Sequence, residues 1–291
     1  MNPGERHGFH FWQPAACLRV SGEDSPAFLQ GQFTNDLQKA SAGGAIYGLW
    51  LNQKGKVLAD SFIQQKSDHE FWILSYFSPA SVIRERLEAY VIADDVVIED
   101  LTGGYAGLMV FGPAPGADRV PAGGGSFLGR RMRGEHTELF FPVGEAAAVR
   151  AKLGEATWLT AAEVEHHRIA AGIPAVPADI GPTELPNEGG LEREAISYTK
   201  GCYLGQEVMA RLKSMGQVRR RLVPVRGEGA APAVPAPVYQ TGRKVGELRS
   251  VAVEGAGWIG LALISLLQVK REAGLALAVD GASTIIITGV P

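Results

Sequence analysis

Cysteine is scarce in this chain of 291 residues, which contains only Cys17 and Cys202. Two thiols cannot form a disulfide framework, and they fit a reducing compartment. No apolar run approaches the roughly 20 residues that cross a bilayer. The first residues, with Glu5, Arg6 and His7, lack the apolar core of a secretory signal. These absences predict a cytoplasmic protein without a membrane anchor.

Positive charge is also in short supply, since 28 Lys and Arg face 31 Asp and Glu for a net charge of −3. General nucleic-acid binders are usually basic overall, so we expect no strong direct binding of nucleic acid. A closed metal site needs three or four ligands at close spacing. The chain has no CxxC or HxxxH pair. The adjacent His166 and His167 point to different sides of one helix, and His7 and His10 lie in an N-terminal segment that we expect to be loose. We therefore predict no metal site built from this chain alone.

The patterns that are present predict an α+β protein with antiparallel sheets. Strand candidates at 46–51 and 56–64 flank a turn at 52–55 and form a hairpin. A third strand candidate at 70–77 follows, and only then a helix opened by Ser78 and Pro79. Strands that cluster before a helix argue against a doubly wound sheet.

Later in the chain, strand candidates at 106–111 and 138–143 flank a glycine- and proline-rich loop at 112–125. A capping box at 160–163 opens a helix that runs through Ala171. After Arg211, strand candidates at 218–225, 238–240, 244–253, 257–266 and 275–288 alternate with Gly and Pro signals. This alternation predicts a separate all-β unit, which we expect to be a small barrel.

The most informative segment surrounds Cys202, which lies between Gly201 and Gly205 just ahead of a predicted helix at 206–213. The positive end of that helix and the neighbouring Lys200 both favour the thiolate form. A second interpretation is a glycine-bracketed turn that holds a buried structural cysteine. Local chemistry leaves both interpretations open.

Residues 196–207 read ISYTKGCYLGQE, and this segment resembles the signature of the YgfZ family of folate-binding, iron–sulfur-associated proteins. That family is related to the aminomethyltransferase of the glycine cleavage system. Weaker matches lie at 28–36, 51–60 and 168–174. The resemblance implies three lobes around a central channel, with the first two interwoven. We place them at 1–104 (folate-binding lobe), 105–215 (the lobe with the Cys202 motif) and 216–291 (the C-terminal β-barrel).

The resemblance implies a folate-binding accessory protein that supports maturation or repair of iron–sulfur enzymes and thereby tRNA modification. Its ligand would be tetrahydrofolate or a related reduced folate, and its partners iron–sulfur client proteins. Cys202 would be the reactive group and an accessible thiol, whereas Cys17, in an apolar strand-like context at 15–20, is expected to be buried. A single thiolate could hold a cluster transiently if a partner supplied other ligands. We expect Asp60, Glu188, Lys200 and Tyr203 to contact the folate. A carboxylate such as Glu188 can accept paired donors from a pterin edge, although Asp60 and Glu188 fit surface positions equally well.

Two departures count against the alternative function, a tetrahydrofolate-dependent aminomethyltransferase. Aminomethyltransferases usually carry Asp-Asp where this chain reads Ala59-Asp60. They also carry a pterin-gripping glutamate where this chain has Ala170. Loss of a charged hydrogen-bonding partner is worth about 1.5–3 kcal/mol. We therefore predict weaker pterin binding, or binding through another acid such as Glu188, and no aminomethyl transfer.

Basic residues follow the Cys202 motif in an otherwise acidic chain. They could meet polyglutamate tails, phosphates or an acidic partner, or simply form a solvated strand edge. The residues are Arg211, Lys213, Arg219, Arg220, Arg221 and Arg226.

Overall fold

The computed structural model of the protein describes residues 8–40, 44–111, 121–153, 157–216, 218–270 and 273–289. Within these ranges the chain forms three five-stranded sheets and five α-helices. The strands pair antiparallel, except for one parallel pairing between Gly8–Trp12 and Thr157–Trp158. The predicted α+β class with antiparallel sheets is confirmed.

The helices are α1 (Ser25–Gln32), α2 (Ala80–Glu88), α3 (Ala146–Leu153), α4 (Ala161–Ala170) and α5 (Gln206–Met215). The strands are β1 (Gly8–Trp12), β2 (Ala16–Ser21), β3 (Ala45–Leu51), β4 (Val57–Ser67), β5 (Glu70–Ser75), β6 (Val97–Asp100), β7 (Tyr105–Phe111), β8 (Gly125–Leu128), β9 (His136–Pro142), β10 (Thr157–Trp158), β11 (Arg220–Glu228), β12 (Ala236–Gln240), β13 (Arg243–Glu254), β14 (Gly257–Ser265) and β15 (Ile285–Ile287). Short 3-10 helices lie at Leu37–Lys39, Thr102–Gly104, Val143–Glu145 and Pro186–Gly189. No α-helix of the described ranges is long and apolar enough to span a membrane.

The first sheet has the order β3-β4-β5-β2-β6 and contains the predicted hairpin. Its turn includes Gly55 at a φ of 70°, a left-handed conformation that glycine adopts at little cost. One face of the sheet packs on α1 and α2 through buried side chains that include Phe33, Trp50 and Ile83. This core fixes the hairpin that carries Asp60.

The second sheet has the order β10-β1-β7-β9-β8. Strand β1 enters this sheet while β2, four residues later, enters the first, so the two sheets are interwoven in sequence. A loose segment around His7 and His10 was expected, and for His10 this is wrong. Its ring Nδ1 lies 2.9 Å from the Leu159 carbonyl oxygen within the sheet. Residue 7 lies outside the described residues.

The loop predicted at 112–125 is correct only in part. Residues 112–120 lie outside the described residues, and Gly125 already begins β8. Strand β8 pairs with β9 from Gly125 opposite Phe140 to Leu128 opposite Thr137. Long-range pairing of this kind overrides a local glycine signal.

The third sheet, with the order β12-β13-β14-β11-β15, curls into a half-barrel. The predicted C-terminal β unit is thus confirmed, but the long strand expected at 275–288 is not. Only Ile285–Ile287 forms a strand there, and Leu275 makes an isolated bridge to Ile285.

Helix starts show where tertiary contacts override capping rules. Thr160 forms the predicted capping box with Glu163. Ser78 does not cap α2, whose N-cap is Pro79. The Ser78 hydroxyl lies instead 2.7 Å from Asp60 Oδ1, in the protein interior. A buried carboxylate without a donor costs more free energy than an uncapped helix end, so the hydroxyl binds Asp60.

Candidate functional site

Lys200 joins two of the segments that carry the family resemblance. Its ammonium donates to the main-chain carbonyls of Gln30 (2.6 Å), Phe33 (2.7 Å) and Asn35 (2.9 Å). These bonds use all three donors of a lysine. Burial lowers the pKa of Lys200 to about 8, against a raising effect of Asp36. Lys200 thus acts as a clamp between residues 28–36 and 196–207.

Further hydrogen bonds close the same junction. The Ser197 N–H donates to the Thr34 carbonyl (3.0 Å), and the Thr34 hydroxyl donates to the Ala195 carbonyl (2.6 Å). The Asn35 amide donates to the Glu194 carbonyl (2.9 Å). The segment 194–197, just before the cysteine motif, is therefore fixed to the end of α1.

The third matching segment, at 51–60, reaches the same place through two glycines. Gly205, the N-cap of α5, has a φ of 86°, and a Cβ there would lie 3.0 Å from the Asn52 carbonyl oxygen. A Cβ on Gly55 would lie 2.9 Å from Val208 Cβ. The hairpin turn and the start of α5 are in direct contact, so all three segments converge around the cysteine motif.

Cys202 is an exposed free thiol, whereas Cys17 is buried. Burial raises the pKa of Cys17 to about 12, with a smaller contribution from Asp100. The predicted contrast in exposure is confirmed, and the interpretation of Cys202 as a buried structural cysteine is wrong. The reactivity of Cys202 stays a prediction.

Tyr203 anchors the segment next to the thiol. Its side chain is buried in a core with Leu51, Met209 and Leu263, which joins the first sheet, α5 and the third sheet. The Lys200 ammonium lies 5.4 Å from the centre of its ring. The Tyr203 hydroxyl is buried without a hydrogen-bond partner, and burial raises its pKa. Its predicted role as a folate contact stays a prediction.

Asp60 is a buried, fully engaged carboxylate rather than the surface residue that the sequence also allowed. Its Oδ1 accepts from the hydroxyls of Ser75 (3.1 Å) and Ser78 (2.7 Å). Its Oδ2 accepts from the Tyr47 hydroxyl (2.9 Å). Burial raises the pKa of Asp60, and these hydrogen bonds oppose the rise.

Glu188 is also buried, so the interpretation as a solvated loop glutamate is wrong. Its Oε1 accepts from Arg220 Nε (2.7 Å), and its Oε2 accepts from the Leu185 N–H (2.7 Å). It lines a cavity of about 480 Å³. Among the described residues, neither Asp60 nor Cys202 belongs to that wall. The sequence had grouped these three residues in one site, and this cavity does not bring them together.

A third buried acid, Glu138, was not found from the sequence. Glu138 on β9 accepts from the Tyr76 hydroxyl (3.1 Å) and pairs with Arg131 (3.4 Å). The Arg131 guanidinium lies 3.8 Å from the centre of the Tyr76 ring. Glu138 Oε2 and Arg131 Nη2 are buried without hydrogen-bond partners. Burial raises the pKa of Glu138, while Arg131 opposes the rise.

Arg130 extends this polar group to Asp60. Its guanidinium lies 4.3 Å from the centre of the Tyr47 ring, and the Tyr47 hydroxyl bonds Asp60. Arg130 also pairs with Glu194, just ahead of the cysteine motif. Its Nε is buried without a partner. The sequence carries a weak trace of this group, since two adjacent arginines precede a strand with an acidic residue, but no local pattern connects them to Tyr76.

Metal ligands do not cluster in the described ranges, where no three His, Cys, Asp or Glu side chains could together hold an ion. The described residues therefore do not complete a three-ligand site around Cys202.

The chain is similar to two families of sequence domains and to several characterised proteins. Residues 13–117 match the GCVT N-terminal domain, and residues 219–287 match the CAF17 C-terminal beta-barrel domain. The iron–sulfur cluster assembly factor IBA57 of Homo sapiens mitochondria is 30% identical over 305 residues, covering 94% of this chain and 82% of that protein. The tRNA-modifying protein YgfZ of Yersinia enterocolitica is 26% identical, covering 91% and 88%.

Among solved structures, the aminomethyltransferase of the glycine cleavage system from Bartonella henselae superposes with a TM-score of 0.81. The match covers 98% of this chain and 86% of that one at 16% sequence identity. At that identity the likeness establishes the fold, and the predicted aminomethyltransferase-like architecture is confirmed.

Proposed function

We propose that this chain, which belongs to the family of IBA57 and YgfZ proteins, supports the maturation or repair of iron–sulfur enzymes. These include enzymes that modify tRNA. The observation that carries the proposal is the exposed Cys202 on a segment clamped by Lys200. The names of the relatives supply the class of process. The cytoplasmic location expected from the sequence stays a prediction.

A thiolate at Cys202 can act in two ways that suit this role. It can ligate iron as a soft ligand, or attack an electrophilic sulfur or carbon atom. A cluster needs more than one ligand, and the described residues do not add a second and third beside Cys202. A partner protein or the client enzyme therefore supplies the remaining ligands, and the cluster is cargo.

A reduced folate is the proposed small-molecule ligand, and the orphaned polar atoms between the first two sheets fit it. A pterin presents donors and acceptors side by side. Arg131 Nη2 and Arg130 Nε lack acceptors, and Glu138 Oε2 has at most the nearby Trp12 indole N–H as a donor. These atoms are buried, so leaving them unpaired is costly and a ligand that pairs them gains affinity.

Glu138 is a better candidate for the pterin acid than Glu188. Both carboxylate oxygens of Glu188 already accept hydrogen bonds from Arg220 and Leu185. Asp60 would bind folate only by exchanging the Tyr47 hydroxyl for the ligand or by accepting one further donor on Oδ2. The bound folate would supply a one-carbon or redox group, and the chain's own part would be to bind and orient it.

The alternative is a tetrahydrofolate-dependent aminomethyltransferase, which the shared fold favours. Ala170 argues against it. The residue is exposed on the last turn of α4 and offers no acceptor where aminomethyltransferases hold the pterin. The purified protein should release no ammonia or methylene-folate from an aminomethylated lipoyl carrier above background. Turnover in that assay would establish the alternative instead.

Complementation tests the lead proposal. A bacterial host without its own YgfZ-like protein should lose activity of an iron–sulfur tRNA-modifying enzyme, and this chain should restore the modified nucleoside. Cys202→Ser should restore it poorly, because a hydroxyl lacks thiolate nucleophilicity and soft-metal affinity. Full rescue by Cys202→Ser at equal expression would refute the assigned role of the thiol.

A further inference from the structure

A cavity of about 500 Å³ opens where the irregular segment after Pro186–Gly189 meets α5 and the start of β11. This volume lies within the usual range for ligand sites, about 300–1,000 Å³. Its wall includes Asn187, Ile196, Leu212 and Val218. Cys202 is not among the described residues of that wall.

Three cationic side chains surround the cavity. Arg193, Lys213 and Arg221 line it, and in the described part of the chain none has a carboxylate oxygen within ion-pair distance. The Lys213 ammonium lies 4.3 Å from the centre of the Tyr198 ring. Arg220, the residue before Arg221 on β11, differs from these three because Glu188 neutralises it at 2.7 Å. Part of the basic stretch thus retains free charge that faces one cavity.

The same wall contains an acceptor that lacks a donor. Asn187 is 8% exposed, and its Oδ1 is buried without a hydrogen-bond partner. Glu192 also lines the cavity, and its Oε2 is buried without a partner. An unpaired buried acceptor is costly, so a ligand that brings an N–H group is favoured.

The cavity of about 480 Å³ that Glu188 lines is adjacent to this one, and the two share Asn187, Leu212 and Val218. Lys56 and Arg219 lie along it. The two cavities form one groove with apolar side chains at its middle and mostly cationic side chains along its edges. Of its two carboxylates, Glu188 is paired with Arg220, and Glu192 leaves one oxygen without a partner. An elongated ligand fits this shape better than a compact anion.

We propose that this groove binds an acidic, aliphatic peptide segment of a partner protein. Its Asp or Glu side chains meet Arg193, Lys213 and Arg221, and its main-chain N–H groups donate to Asn187 Oδ1. An aliphatic side chain packs on Leu212. The phosphodiester groups of RNA supply acceptors only, so they leave Asn187 Oδ1 unpaired. Inorganic phosphate keeps a hydroxyl donor, but it is too compact to reach both the cations at the edges and the apolar middle of the groove. This site goes beyond the proposed function and does not require the Cys202 thiol.

Fluorescence anisotropy on the intact protein tests the site with a labelled peptide, Asp-Leu-Glu-Glu-Leu, capped at both ends. The matched peptide Asn-Leu-Gln-Gln-Leu measures the part of the binding due to charge. The double variant Lys213→Glu/Arg221→Glu should weaken binding of the acidic peptide by about tenfold or more. The control Arg133→Glu/Arg211→Glu makes the same change in net charge at exposed residues outside the cavity, and should retain affinity within about twofold. Asn187→Leu should weaken binding severalfold through loss of the acceptor.

Several results would overturn the proposal. Equal loss in both double variants would make the attraction a property of net charge. Equal binding of the amide peptide would remove the role of the cations. Tighter binding of tri-γ-glutamate, of inorganic phosphate or of a single-stranded RNA oligonucleotide would assign the groove to that ligand. Because Cys202→Ser should bind the peptide normally, failure here and failure of the iron–sulfur proposal are separate outcomes.

Discussion

The ammonium of Lys200 donates a 2.7 Å hydrogen bond to the carbonyl of Phe33, a residue 167 positions earlier in the chain. Two further carbonyls at Gln30 and Asn35 share the same ammonium. The lysine of the cysteine motif is therefore a structural clamp. Its hydrogen bonds tie the segment of the exposed Cys202 to the end of α1.

The first prediction concerns this clamp. Lys200→Met leaves three main-chain acceptors without their charged donor, and should lower the free energy of unfolding by about 3 kcal/mol. Urea denaturation followed by tryptophan fluorescence measures the change. Lys54→Met, at an exposed lysine of the hairpin turn, is the control and should leave the midpoint unchanged. Equal midpoints for both variants would contradict the clamp.

The second prediction contrasts the two thiols. Between pH 7 and 9 an alkylating reagent should modify Cys202 alone, because Cys17 is buried and its pKa of about 12 keeps it a thiol. Peptide mass mapping at timed intervals gives both rates. In denaturant the two rates should converge. Faster modification of Cys17 in the native protein would contradict the assignment.

The third prediction uses a pair of glycines from the same motif. Gly205→Ala places a Cβ at a φ of 86° and 3.0 Å from a carbonyl oxygen, and should cost about 1–2 kcal/mol. Gly201→Ala meets no atom within 4 Å and should be close to neutral. Thermal melts of the two variants provide the comparison. Equal destabilisation would mean that α5 does not pack on the hairpin turn as described.

Much of the fold could be predicted from local patterns. The hairpin turn at Gly55 and the capping box at Thr160 depend on neighbouring residues, and both were correct. The start of α2 was not, because Ser78 serves a buried acid from another strand. Strand β1 could not be predicted from local patterns, because its partners β7 and β10 lie about 100 and about 150 residues away in the chain.

The candidate site divides in the same way. Cys202 and its motif could be found from the sequence because their residues are adjacent. The polar group of Tyr76, Arg131 and Glu138 could not be found from the sequence. Its residues come from separate segments of the chain that meet only in the folded protein. Nor does the sequence reveal that Glu188 is already bonded by Arg220 from the third sheet.

The fourth prediction separates the candidate folate acids. In calorimetric titration with tetrahydrofolate, Glu138→Gln should weaken binding by about tenfold, the loss of one charged hydrogen bond. Glu188→Ala should weaken binding less, and Ala170→Glu should tighten it by restoring an acceptor. Unchanged affinity in all three variants would place the folate elsewhere or exclude it.

The most direct test of the central claim measures clusters rather than growth. An iron–sulfur tRNA-modifying enzyme is purified from a host that lacks its own YgfZ-like protein and carries this chain, its Cys202→Ser variant, or the control Cys17→Ala, at equal expression. Iron and acid-labile sulfide per enzyme are then determined. We predict restored cluster content with the unchanged chain and with Cys17→Ala, and content near the empty-host level with Cys202→Ser. Equal cluster content with Cys202→Ser would contradict the account.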